Sequence, residues 1–252
     1  MQTTTTKTAA KVKEAITIKK LLSDGSTNAK TKKNSLKSFI LYLSPYTQNS
    51  FGKNVCANAS AGCIETCLFT AGMGSFSNVQ KARIAKTDYL LSDRQRFLDQ
   101  LAKEILYHYA KAKRSGEKIA IRLNGTSDLD FFTLLQKYAQ LDITKLADHV
   151  HFYEYTKNIN YIKRWEGAPN ITYTFSKSES NSTLIPAAIA YGANVAAVFR
   201  NDLPATYNIG GVNIPVIDGD TSDILMIYNK GKIIGLRAKG RAKKDFSGFV
   251  ID

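Results

Sequence analysis

Three cysteines, three histidines, one tryptophan and five prolines are all that this chain of 252 residues holds of those types. Each scarcity excludes something. With so little Pro and only 16 Gly, collagen-like and low-complexity chains are out. An odd, small set of cysteines is not a disulfide framework. Three histidines, with no Ser–His–Asp or Cys–His spacing, disfavour hydrolysis centred on histidine. No uninterrupted apolar run approaches the ~18–20 residues that cross a bilayer, so no membrane-spanning helix is expected. Met1 to Thr8 lack the apolar core of a secretory leader, and residues 1–34 hold no Arg, unlike organellar transit peptides. The Gly72-Met-Gly74 pair is too short for a nucleotide fingerprint, and no Gly-x-x-x-x-Gly-Lys phosphate loop exists. The expectation is a soluble, cytoplasmic protein without membrane association.

Positive charge is what the chain has in excess. The formal net charge is +14, of which residues 1–34 contribute +6, residues 228–252 +5 and the central 193 residues +3. Basic ends on a nearly balanced body are a footprint for polyanions, so nucleic acid or a nucleotide is the expected partner; a solvated tail that aids solubility is the plain alternative. Residues 1–34, rich in Thr, Lys and Ala, read as a largely flexible segment with one short helix or strand at Ile16, Ile18, Leu21 and Leu22.

All three cysteines fall within twelve residues, Cys56-Ala-Asn-Ala-Ser-Ala-Gly-Cys63-Ile-Glu-Thr-Cys67. Thiolates grouped like this suit soft metals, zinc or an iron–sulfur cluster. The small residues between Cys56 and Cys63 let a loop fold tightly round a compact ligand, with backbone N–H groups able to donate to sulfur. Structural zinc needs a fourth ligand. It would come from His108, expected on a helix surface, or from His149 or His151 beside a predicted strand. A four-iron cluster held by three thiolates needs none, and fits three cysteines better; zinc and no metal are the alternatives.

The residues around the loop alternate in period. Phe39 to Leu43 reads as a buried strand between Lys37 and Pro45. A long helical region spans about 79–114, with a capping box from Ser92 to Gln95, an apolar face at Phe97, Leu98, Leu101, Ile105 and Leu106, and a stop at Gly116. Further strands are expected at 118–123, 150–155, 171–175, 194–199 and 213–217, and helices at about 130–141, 158–166 and 182–191. Ile224 to Tyr228 and Lys232 to Leu236 read as a terminal hairpin round Asn229-Lys-Gly231. Six strands in α/β alternation argue for a mainly parallel sheet with right-handed crossovers, in a chain too short for a closed eight-fold barrel. The expected fold is α/β, a partial (β/α)6 barrel-like parallel sheet with a C-terminal β-hairpin; an open doubly wound sheet is the alternative. One α/β domain over 35–252, with the Cys loop at 56–67, follows the basic segment 1–34.

In such architectures chemistry sits at the carboxyl ends of strands. Polar residues gather there: Arg122 to Asp128 with Asn124, Thr126 and Ser127; Glu154 to Lys157; Ser176, Lys177, Ser178 and Glu179; Arg200 to Asp202; and Asp218, Asp220 and Asp223. Each has a plainer reading. Asp128, Asp130 and Ser178 to Asn181 are good helix caps. Lys157 and Lys177 are more often solvated, Asp218 to Asp223 more often a turn than a Mg²⁺ site, and Trp165 a packing residue.

A strand, a three-cysteine loop and α/β alternation over about 200 residues resemble the radical S-adenosylmethionine enzymes. More narrowly, five stretches are similar to an uncharacterised phage-encoded family, the gene-eighty-eight proteins. They are Cys63-Ile-Glu-Thr-Cys67-Leu68 with Ala71-Gly72, Arg83-Ile-Ala-Lys86-Thr87, Arg122-Leu-Asn-Gly-Thr-Ser-Asp128, Tyr153-Glu-Tyr-Thr-Lys157 and Gly235-Leu-Arg-Ala-Lys-Gly240. The second resemblance implies a phage-encoded protein acting in the host cell. The first implies a [4Fe-4S] cluster on Cys56, Cys63 and Cys67 with one iron open to S-adenosylmethionine. Asn124, Ser127, Asp128, Lys157 and Ser176 would line the cofactor site, with Lys177, Arg200 and Asp220 nearer the substrate. The loop here is Cys-x6-Cys-x3-Cys, where those enzymes have Cys-x3-Cys-x2-Cys, and it lacks their Gly-Gly-Glu type of segment. The other expectation is a metal-stabilised nucleic-acid-binding protein with structural cysteines, or a nuclease using Asp128, Asp218 and Asp220 with Mg²⁺. A barrel that binds a small ligand without catalysis is a third.

Overall fold

The computed structural model describes residues 16–27 and 36–252. Among these, ten strands form one mostly parallel, open sheet. The strands are β1 (Leu22–Asp24), β2 (Lys37–Leu41), β3 (Ile119–Arg122), β4 (Val150–Thr156), β5 (Ile171–Ser176), β6 (Asn194–Phe199), β7 (Thr206–Ile209), β8 (Val212–Asp218), β9 (Ile233–Arg237) and β10 (Val250–Ile251). The helices are α1 (Ala61–Glu65), α2 (Ser77–Ser92), α3 (Arg94–Ser115), α4 (Phe131–Ala139), α5 (Ile159–Arg164), α6 (Ile185–Ala190) and α7 (Leu225–Tyr228). Across the sheet the order is β1-β2-β3-β4-β5-β6-β9-β8-β7, with β1 and β7 as antiparallel edges. The α/β class and the parallel pairing are as expected; the sheet does not close. No helix among the described residues is long and apolar enough to cross a membrane.

The topology follows from crossover handedness. From β2 to β6 each strand lies beside its predecessor in the same direction, so right-handed crossovers put the connecting helices on one face. Ile119 and Ile121 of β3, Phe152 of β4 and Phe175 of β5 point into the large core there. The step from β8 to β9 runs backward, which puts α7 on the other face. Ile224 and Met226 accordingly pack with Ala120 and Tyr153, the residues between those that face the large core. Met226 Sδ also accepts from the Thr174 hydroxyl, and Asn194 Nδ2 donates to Met226 O.

Helix α3 carries much of the core. Its N-cap is Asp93, whose carboxylate accepts from Arg96 N at 3.1 Å, and it stops at Gly116 in the left-handed region at φ 69°. Phe97, Leu98, Leu101 and Ile105 are fully buried, each contributing ~1.5–3 kcal/mol of burial. The expected continuous helix breaks at Asp93, and the cap falls one residue beyond the expected Ser92, whose hydroxyl donates back to Tyr89 O. His108, expected at the surface, is buried and stacked on Phe39 with centroids 3.7 Å apart. Its position three residues past Ile105 puts it on the buried face.

The expected terminal hairpin does not form. Leu225–Tyr228 is helix α7, and Ile233–Arg237 is an interior strand between β6 and β9's other neighbour, β8. A short apolar run has no periodicity that separates helix from strand. Here parallel pairing demands a crossover between β8 and β9, and α7 supplies it. A hairpin does exist earlier, where β7 pairs β8 through Gly210 and Gly211, both at positive φ as a two-residue turn requires. Strand β1 realises the apolar patch expected to form a short helix or strand. Leu21 and Leu22 are fully buried, and their N–H groups donate to the Glu104 carboxylate. The rest of the segment expected to be flexible, residues 1–15 and 28–34, lies outside the described residues.

One detail of the carboxyl edge positions the site. Strand β5 pairs with β6 as far as Ala196, and β10 then pairs with β6 at Val198 and Phe199. Because β9 holds the other edge of β6, the C-terminal strand fills the space that β5 vacates. Ser247 and Phe249 are thereby carried over the carboxyl ends of the strands.

Candidate functional site

The cysteine loop is laid across the carboxyl edge and fastened at three strand ends. At its start, Cys56 lies between the ends of β2 and β3. Its Sγ accepts from Tyr46 N at 3.4 Å and lies 3.8 Å from Thr126 O, while residues 56 and 128 form a parallel bridge and Asp128 N donates to Val55 O. The two strand ends are drawn together at Gly125, whose N–H donates to Leu41 O at 2.9 Å. A Cβ there would stand 2.5 Å from Tyr42 Cδ1 and 2.7 Å from Leu41 O, so only glycine fits.

The middle of the loop is α1, capped by Ser60, whose hydroxyl accepts from Cys63 N. Glu179, beyond the end of β5, clamps this turn. One carboxylate oxygen accepts from Ser60 Oγ at 2.8 Å and the other from Gly62 N at 2.9 Å. Burial pushes this carboxyl up, but those hydrogen bonds outweigh it and hold Glu179 below the usual carboxylate value. The C-terminal segment packs on the same turn, since a Cβ on Gly62 would meet Ser247 Oγ at 2.3 Å and Phe249 Cβ at 2.8 Å.

The three thiols are half-buried, and the other two each add to the raised pKa of Cys56. Burial pushes the Cys56 thiol up to about 12; the Tyr46 N–H opposes this, while Asp128 and the other two cysteines add to it. Burial also raises Cys67, opposed by the Phe69 N–H and then by Arg83 and Lys157. Arg83 projects from α2 with its guanidinium 4.8 Å from the Tyr42 ring centre. Its Nε and Nη1 are buried and have no hydrogen-bond partner. Burial holds Arg83 below the ordinary arginine value, with Tyr42 and Cys67 pushing back. The Lys157 ammonium sits 5.6 Å from the Phe249 ring centre.

The histidines supply no fourth ligand. His149 Nδ1 meets Glu117 O at 2.7 Å and His151 Nε2 meets Thr172 Oγ1 at 2.8 Å, both at the amino edge of the sheet. Burial pushes His151 down to about 4. Among the described residues no three His, Cys, Asp or Glu side chains stand as a metal-holding group. In chemistry alone the loop offers three soft donors, with Arg83 and Lys157 near Cys67 and two guanidinium nitrogens lacking an acceptor. Its present positions are those of separate thiols.

The other residues expected at the site divide into groups. Asn124 and Ser127 are engaged within the β3–α4 loop, Asn124 Oδ1 accepting from Ser127 Oγ and Leu129 N. Asp128 accepts from Thr156 Oγ1 at 2.6 Å and Lys157 N at 2.9 Å, and burial outweighs those bonds to raise its pKa. Ser176 ends β5 and Lys177 follows it; Lys177 is 9% exposed, and burial lowers its amine pKa against the pull of Glu179. Arg200 is tied to Lys243 O, Asp245 O and Asp252. Asp220 pairs with Lys239 at 2.7 Å and Asp218 with Arg237 at 2.9 Å. Five inter-strand steps separate β3 from β8, about 24 Å at ~4.8 Å per step, so Asp128 is not brought together with Asp218 and Asp220.

Arg83 and Phe249 were not read from the sequence as parts of the site, and Glu179 was read there only as one of the strand-end polar residues, without its role as a clamp. Glu154, also among those strand-end residues, turns out to be buried, its carboxylate accepting from Leu123 N at 2.5 Å and Asn124 N at 2.9 Å. A lone Arg in a polar helix has no sequence signal of burial, though Arg83-Ile-Ala-Lys86-Thr87 was among the stretches that carried the family likeness.

The family model for Gene product 88 matches residues 16–252, from β1 to the C-terminus and so across every element of the site. The chain belongs to the Gene product 88 family. No curated protein and no solved structure matches it. The match therefore carries membership and no activity.

Proposed function

We propose that this Gene product 88 family member is an iron–sulfur enzyme whose cluster is held by Cys56, Cys63 and Cys67 at the carboxyl edge of the sheet. The unpaired buried nitrogens of Arg83 carry the reading. A buried donor without an acceptor costs ~1–3 kcal/mol. Two of them near Cys67 call for an anionic occupant that the protein itself does not supply. Thiolates bound to a cluster are anionic; neutral thiols are not. When bound, a three-thiolate cluster supplies one-electron chemistry with one iron open to another ligand.

The chain's own groups have separate tasks. The Tyr46 and Phe69 N–H groups donate toward sulfur, which favours the thiolate form and tunes the potential. Arg83 and Lys157 balance the negative charge, Glu179 fixes the loop, and the Phe249 ring lies against Lys157. S-adenosylmethionine is the ligand assigned to the open position, on the likeness of the loop to that of the radical enzymes. The run β2-β3-β4-β5-β6 is consecutive in both sequence and sheet order, within a sheet that stays open. Of the residues expected to line the cofactor, Lys157 and Ser176 keep side-chain polar atoms outside internal hydrogen bonds among the described residues. The expected substrate is a polyanion, in keeping with the +14 charge.

The test is metal and sulfide content after strictly anaerobic purification, read with the visible spectrum. About four irons and four sulfides per chain, lost in Cys63→Ser while the far-ultraviolet dichroism stays unchanged, is the expected outcome. One zinc per chain, or no metal, overturns it.

A further inference from the structure

A second feature lies on the same edge as the thiols. Residues Gly240–Lys244 form a 3-10 turn whose buried Ala242 packs with Ala238 and Val250. That anchor leaves Arg241, Lys243 and Lys244 exposed, and among the described residues no ion pair engages any of the three. Asp245 turns inward, accepting from Ser247 and Val250 N, and Asp252 is paired with Arg200. Gly240, at φ 56°, backs onto Ala71, since a Cβ on it would meet Ala71 Cβ at 3.0 Å. The basic turn therefore adjoins the segment that follows Cys67, where Leu68, Met73 and Phe76 are each more than half exposed. Next to Lys244, Phe246 is 87% exposed, and Arg200 covers one face of its ring at 4.8 Å.

Three unneutralised cations beside a ring fixed on one face and open on the other make the pairing that holds single strands: charge along the phosphates and a platform for a base. A membrane-binding element needs its apolar residues gathered on one helical face. Here they sit on separate short turns with cations between them, so nucleic acid is the better match.

We propose that Gly240–Phe246, with Leu68–Phe76, is a binding surface for single-stranded nucleic acid, with Arg241, Lys243 and Lys244 on phosphates and Phe246 stacking on a base. The surface itself does not depend on what the cysteines hold. Its use in delivering a strand to them rests on the metal-centre reading.

The experiment is fluorescence anisotropy of a labelled 20-nucleotide thymidine strand with the full-length protein between 50 and 200 mM salt, with iron measured on every sample. Three phosphate contacts at a slope of about −0.7 each lower the affinity about 20-fold over that range. The double variant Lys243→Glu, Lys244→Glu is expected to flatten the slope by about 1.4. Phe246→Ala is expected to weaken binding roughly tenfold with the slope unchanged. Both variants keep the wild-type iron content. Variants that bind like the wild type overturn the proposal, as do equal affinity for a duplex of the same length, or binding only to phosphatidylglycerol vesicles. A protein that binds the strand but holds no iron sinks the metal reading and leaves the surface standing.

Discussion

Replacing Arg83 by Met separates stability from function at the candidate site. Nε and Nη1 are buried without acceptors, and two unmade hydrogen bonds cost ~1–3 kcal/mol each. The side chain is only half-buried, which roughly halves that penalty, and loss of the contact with Tyr42 takes back about 0.5–1 kcal/mol. Met keeps the apolar stem in place. The metal-free protein is therefore expected to gain about 1–2 kcal/mol, a Tm higher by about 2–8 °C for a chain of this size. Iron uptake on anaerobic reconstitution is expected to fall. The assay is thermal unfolding by circular dichroism in chelator, beside iron per chain after reconstitution. A Tm lowered in chelator would show that Arg83 is an ordinary stabilising contact. Unchanged iron uptake would show that its charge does not serve the site.

Further predictions address the frame of the site. Glu179→Ala removes two hydrogen bonds to a carboxylate and is expected to cost about 2 kcal/mol after allowance for solvent, read as a Tm lower by about 4–8 °C. Early cleavage between Cys56 and Cys67 under limited proteolysis is expected with it; wild-type behaviour would mean that the clamp holds nothing. Gly125→Ala forces a Cβ against the Leu41 carbonyl and the Tyr42 ring and is expected to cost roughly 2–4 kcal/mol, so an unchanged melting curve refutes the close approach. Burial pushes Glu154 up to about 7, opposed by the Leu123 N–H, Arg122 and Asn124, so the folded state favours the protonated form. Its stabilising contribution is whole below the unfolded value near 4.5 and is lost as pH rises through 7, by at most about 3 kcal/mol. Urea unfolding between pH 5 and 8 should show this fall, and Glu154→Gln should abolish it; an identical slope in the variant assigns the fall to other groups.

The interior parallel strands were legible in the sequence from their apolar runs, and so was the more exposed β8. Asn194–Phe199 falls where its apolar run ends, and β3, β4, β5 and β8 fall within a residue or so of expectation. Thr206–Ile209 was missed because its residues are half-polar and pair only at an edge. Ile224 to Leu236 was misread because a hairpin and a helix–strand crossover share one apolar pattern. At the site, the three cysteines announced themselves by crowding, and the strand ends by their polar residues. Arg83 did not, because burial of a charged helical residue depends on what the fold lays over it.

Composition, spacing and periodicity determined the α/β class, the parallel sheet and a thiol loop after the first parallel strand, because each is a local pattern of residues. Tertiary structure decided which strand ends meet. Glu179 reaches the loop from more than a hundred residues away, and β10 fills the space that β5 leaves. Asp218 and Asp220 turn to Arg237 and Lys239 instead of Asp128. Those neighbours are set by crossover direction and by the order of strands across the sheet. Residue spacing along the chain carries no record of either.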